Sequence, residues 1–131
     1  MNTHMIIISA IALSIMPFST VQAQQLQVQR TDLIKSDISV SGKEVVQVRV
    51  DFAPGVFAVS HRHPGEEVAY VIEGMLEYEL EGQKPVTLRA GQSLFIPAGT
   101  PHSARNVGDA KASELATYIV SKGVALVELV K

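Results

Sequence analysis

The sequence predicts an all-β sandwich or barrel, on three observations: closely spaced glycines, stretches of alternating polarity, and one strand that is apolar on both faces. Gly55, Gly65, Gly74, Gly82, Gly91, Gly99 and Gly108 recur at intervals of 8 to 10 residues. Glycine permits the positive φ of tight turns. Turns this close leave no room for helices of ordinary length and favour short strands.

The segments between the glycines agree. Val46, Val48, Val50 and Phe52 alternate with Gln47, Arg49 and Asp51, as in a strand with one buried face. Leu76, Tyr78 and Leu80 alternate with Glu77, Glu79 and Glu81, and Gly82-Gln83 makes the turn that follows. Leu115 to Val120 and Val124 to Val130 read as two closing strands, parted near Gly123. Val68 to Ile72 is apolar on both faces, so both must be covered. Its outer cover is either a second sheet of the same chain or another subunit, which makes a homodimer an expectation.

The 131 residues fit one domain. The net charge of -2 points to neither a nucleic acid nor an acidic membrane as partner. There is no cysteine, which excludes disulfides, thiolate ligands and cysteine nucleophiles. The apolar run Met5 to Met16, then Pro17 and the small-residue pattern Val21-Gln22-Ala23, reads as a signal peptide over residues 1–23. The run is too short for a stable membrane anchor, which needs about 20 apolar residues. The domain is then expected over residues 24–131, in the periplasm or secreted. A buried helix of the fold is the alternative for this segment.

Phe57, Val59, His61 and His63 share strand parity, and the first two are apolar. The expectation is that all four face the interior, with Phe57 and Val59 lining a pocket. Glu67 shares parity with Ala69 and Val71 on the next strand. Its neighbour Glu66 is expected to face solvent. His102 follows a turn marked by Pro97 and Gly99. With His4 lost in the signal segment, these are the remaining histidines. Three imidazoles and a carboxylate in one small interior are hard to satisfy without a cation. The plain alternative is a core of neutral, hydrogen-bonded histidines.

These residues also form a known pattern. Gly55, His61, His63, Glu67 and Gly74 keep the spacing of the first cupin motif, and Gly91, Pro97, Gly99, His102 and Asn106 that of the second. Across Gly55 to Asn106 the chain resembles the cupin superfamily. The resemblance implies a small double-stranded β-helix, or jelly-roll, barrel, often dimeric. It also implies a metal held by His61, His63, Glu67 and His102, with the glycines, Pro97 and Asn106 in structural roles.

A nitrogen and oxygen donor set without thiolate suits one divalent transition metal: iron or manganese first, with nickel, copper or zinc as alternatives. Three functions follow from such a site. The first is a metal-dependent, dioxygenase-like enzyme acting on a small oxygenated organic molecule. The second is a redox-neutral lyase, isomerase or decarboxylase. The third is a non-catalytic module for a small ligand or metal. Tyr78, Tyr118 and Glu66 have the chemistry of an acid or base, beside a plainer reading as packing or solvent-facing groups.

Overall fold

The computed structural model describes residues 28–131, and the expected signal segment lies outside them. Ten strands follow one another: β1 (Gln29–Asp37), β2 (Lys43–Phe52), β3 (Phe57–Arg62), β4 (Gly65–Glu73), β5 (Met75–Leu80), β6 (Val86–Arg89), β7 (Ser93–Ile96), β8 (His102–Asn106), β9 (Ala112–Ser121) and β10 (Glu128–Leu129). They form two five-stranded antiparallel sheets, ordered β1-β2-β9-β4-β7 and β10-β3-β8-β5-β6. From β3 to β5 and from β6 to β10, each successive strand changes sheet; β5 and β6 are a hairpin. This is a jelly-roll, which holds its core between two faces.

The alternating strands place their apolar residues inside. Val48, Val50 and Phe52 of β2, and Leu76, Tyr78 and Leu80 of β5, are buried. On β4 the inward set is Gly65, Glu67, Ala69 and Val71. The second sheet covers that inner face and leaves the outer one open. Val68, Tyr70 and Ile72 are about 40% exposed, next to exposed Phe95 and Ile119.

Gly65 stands where a side chain is excluded. A Cβ there would overlap the carbonyl oxygen of Ile119 on β9. At Gly74, φ is +75° and a Cβ would sit 2.7 Å from the Ala112 Cα. Both glycines let β4 lie against β9, and so fix the depth of Glu67.

Two expectations are corrected. The tail from Val124 to Val130 is not a full strand; only Glu128–Leu129 pairs, with Arg62 and His61 of β3. The rest wraps across the barrel end, where its polar backbone finds a side-chain partner described below. Strand parity also fails at Phe57. Ala58 pairs with Ala104 and His61 with His102, so β3 carries a bulge between them. The extra residue reverses the faces, and Phe57 falls opposite Arg105 on the outer surface. The Arg105 guanidinium lies 5.4 Å from the centre of the Phe57 ring.

Candidate metal centre

β3 and β8 are neighbours, and their ladder sets His61 directly opposite His102. The ring centroids of this pair are 4.3 Å apart, and His63 stands 4.9 and 5.1 Å from the two. The backbone N–H of Gly99 donates to the His63 carbonyl at 3.0 Å, so the turn before His102 is tied to the end of β3. One ligand atom from each of the three imidazoles lies within 4.8 Å of the others. Glu67 arrives from the facing sheet. Its Oε2 is 3.1 Å from His63 Nε2 and 3.2 Å from His102 Nε2. All four residues are buried.

Each imidazole is held the same way. The Nδ1–H groups of His61, His63 and His102 donate to the carbonyls of Val59, Leu126 and Thr100, at 2.7, 2.6 and 2.9 Å. The irregular tail therefore supplies the acceptor that orients His63. With the proton on Nδ1, a neutral ring carries a lone pair on Nε2. Outer hydrogen bonds of this kind are how proteins aim imidazoles at a metal.

His63 Nε2 and Glu67 Oε2 are buried and have no hydrogen-bond partner. A lone pair facing a carboxylate oxygen at this distance is repulsive unless a positive charge lies between them. Burial holds His61 down to about 4, so it is neutral at pH 7. Burial also depresses His102, but the Glu67 carboxylate more than reverses this and raises it above the ordinary value. Burial pushes Glu67 up, and His102 and His63 outweigh it, bringing the carboxyl to about 2. With Glu67 ionised, the unpartnered contact between its Oε2 and the His63 Nε2 calls for a cation between them. The donor set fits a divalent metal on this ground.

The other expected residues fall into place singly. Glu66 is exposed beside buried Glu67. Asn106 is 1% exposed, donates to the carbonyls of Phe52 and Ala110, and accepts from the N–H of Gly108. Every polar atom of that side chain is used in the fold. Gly55, Gly74, Gly91 and Gly99 have positive φ, and Pro97 accepts the turn bond from Thr100. Val59 lies beside His61 in a cavity of about 230 Å³ that also meets Val28, Arg30, Ala58 and Val127. Phe57 does not reach it; it lines a separate outer hollow of about 200 Å³ with Arg105 and Glu77.

Sequence reasoning missed Glu114. It is buried on the inner face of β9, in line with Ala116, Tyr118 and Val120. The Tyr78 hydroxyl donates to its Oε2 at 2.5 Å. Burial, then the charge of Glu67, pushes its pKa up to about 7. Period-two alternation back from Tyr118 would have placed it inside. Burial raises Tyr78 and Tyr118 far above the ordinary tyrosine value, so both stay protonated. The Tyr118 ring lies 4.6 Å from that of His63.

The comparisons with known proteins agree with this fold. A family described as the cupin domain matches residues 48–123. Polyketide synthase CurC of Streptomyces cyaneus is 48% identical over 60 residues, 45% of this chain and 38% of that protein. The crystal structure of the dimethylsulfoniopropionate (DMSP) lyase DddQ from Ruegeria pomeroyi aligns with TM-score 0.67 and 26% identity, over 79% of this chain and 51% of that one. Oxalate oxidase in complex with the substrate analogue glycolate aligns with TM-score 0.65 and 28% identity, over 79% and 55%. The matched region is under two fifths of the CurC length and about half of each solved chain.

Proposed function

We propose, because this chain belongs to the cupin domain family, that it is an exported metal-dependent enzyme of dioxygenase-like chemistry, acting on a small oxygenated organic molecule. The observation that carries the reading is the buried contact between His63 Nε2 and Glu67 Oε2, each without a partner. His61, His63, Glu67 and His102 would hold one divalent transition metal. Three nitrogens and one oxygen, with no thiolate, suit iron or manganese. The metal would supply Lewis acidity and one-electron chemistry with dioxygen.

The chain's own groups have separate tasks. The carbonyls of Val59, Leu126 and Thr100 keep the three Nε2 atoms aimed inward. Val28, Val59 and Val127 make the approach to His61 apolar. The similarity to oxalate oxidase with bound glycolate supports a small oxygenated substrate.

Glu114 supports a second reading, a redox-neutral lyase or isomerase. A buried carboxyl with a pKa near 7 is suited to move a proton at neutral pH. The similarity to a DMSP lyase favours the same chemistry. Metal analysis of protein purified from the cell envelope without added metal, followed by oxygen-uptake assays on small oxygenated acids and phenols, tests both readings. Iron or manganese with substrate-dependent oxygen uptake is the expected result. Turnover without oxygen selects the second reading, and protein without bound metal sinks both.

Export rests on the character of residues 1–23. It is checked by whether mature protein from the envelope begins at Gln24. The open outer face with Val68, Tyr70, Ile72, Phe95 and Ile119 supports a homodimer. Light scattering at micromolar protein gives twice the chain mass if that holds.

A further inference from the structure

The cavity beside His61 contains one charged side chain that the metal centre does not use. Arg30 sits on β1, an edge strand, and pairs with Val50 of β2. Val50 faces inward, so the Arg30 side chain takes the same direction, over the barrel mouth. Its Nη2 lies 3.4 Å from the Tyr118 hydroxyl, which accepts the hydrogen bond. The Tyr118 ring in turn lies against His63. Among the described residues no carboxylate lies within ion-pair distance of Arg30, whereas Lys35, Arg49, Arg62, Lys111 and Lys122 each have one.

The rest of the cavity is apolar apart from His61: Val28, Ala58, Val59 and Val127. Its volume of about 230 Å³ lies below the roughly 300–1,000 Å³ of drug-sized sites. A guanidinium presents paired donors that match the two oxygens of a carboxylate. A wider groove of about 340 Å³ between β1 and the 124–126 tail offers no such group, because its Lys35 is already paired with Glu44 at 3.5 Å.

We propose that Arg30 anchors the carboxylate of a small organic acid in this cavity, with the body of the acid on Val59 and Val127 and its other end at His61. This deepens the proposed function, on which it rests, by naming the substrate class. The anchor sits on β1 and the metal ligands on β3, β4 and β8, so an acid spanning the cavity is oriented by two separate parts of the fold. Arg30 is here a specificity residue: it selects acids over their neutral analogues.

The test is calorimetric binding of glycolate, pyruvate, oxalate and benzoate, each beside its primary amide, to the metal-loaded protein, Arg30→Gln and Arg30→Lys. At least one acid is expected to bind wild type about tenfold or more tightly than it binds Arg30→Gln, as loss of a charge-assisted pair implies. Arg30→Lys recovers part of the loss, and the amides bind all three proteins alike. In wild type, rising salt weakens the acids and leaves the amides unchanged, a readout that needs no variant. Equal affinity of every acid for wild type and Arg30→Gln, or no acid binding at millimolar concentration, overturns the proposal. Metal content of the same samples separates the two claims. Loaded metal with equal acid affinity sinks the anchor alone, and absent metal sinks the metal reading whatever the acids do.

Discussion

His61 and His102 are direct partners across the β3–β8 ladder, with ring centroids 4.3 Å apart. Two stretches about forty residues apart in sequence meet through one backbone pairing. The imidazoles are therefore held by the sheet itself, and the cluster is pre-formed. Removing His102 takes away one imidazole beside Glu67 and leaves the set with two. His102→Ala is expected to lose bound metal, read by elemental analysis. It should also lose the metal's stabilisation, about 4 kcal/mol for a metal present at about 1,000 times its Kd, read as a drop in Tm that chelator does not deepen. Full metal content in this variant would place the site elsewhere.

Acid should release the metal in a defined range. An imidazole binds metal only when neutral. His102 lies above its ordinary value of 6.5, so it competes for a proton before His61 as pH falls. Burial holds His61 at about 4, so it protonates last. Metal loss is expected to be under way by about pH 6.5 and to be complete near pH 4. The sign in the metal-free protein follows from the same depressed value. Between pH 6.5 and 4 the unfolded chain binds a proton at His61 that the folded chain does not, so this group lowers stability as pH falls. Dialysis against graded buffers with metal analysis checks the release range. Full retention at pH 4 contradicts imidazole ligation.

Much of this was legible in the sequence because period-two alternation holds wherever a strand is regular. Glu67 was placed inside and Glu66 outside by parity with Ala69, and the structure has them so. Parity failed at Phe57 because the bulge between Ala58 and His61 adds a residue, and a bulge leaves no mark in polarity. The tail from Val124 departs from its strand-like pattern for a related reason. Its valines and leucines look strand-like, yet it serves by lending the Leu126 carbonyl to His63. Arg30 could not be singled out, because its value depends on β1 pairing with β2 at the barrel mouth. Glu114 was hidden by its neighbour Ser113, which makes the start of β9 look polar and exposed.

Gly65 offers a test of the fold's control over the site. A Cβ there overlaps backbone of β9, which cannot swing aside as a flexible side chain could. Gly65→Ala should push β4 away from β9 and draw Glu67 from the imidazoles. Overpacking of this kind costs about 1–3 kcal/mol. The expected result is a lower Tm together with weaker metal affinity in the protein that still folds. Wild-type stability in Gly65→Ala would mean that β4 and β9 are less closely apposed than described.

Glu114 makes a prediction that separates burial from metal binding. Its folded pKa is raised to about 7 from an ordinary 4.5, by burial and then by the charge of Glu67. A raised folded value means that the folded state holds a proton the unfolded chain has lost between those two limits. The contribution is fully present below pH 4.5 and is lost as pH rises through 7, a change of about 3 kcal/mol. Glu114→Gln keeps an acceptor for the Tyr78 hydroxyl and cannot ionise. In metal-free protein the Tm difference, variant minus wild type, should therefore grow between pH 5 and 8. His61 and His102 titrate in both proteins, so to first order they cancel from the difference. Added divalent metal offsets the Glu67 charge and should shrink that growth without abolishing it, because burial is the larger cause. Parallel Tm curves for variant and wild type across this range would show that Glu114 is ionised throughout. The proton-moving role drawn from it would then fall, while the metal centre would stand.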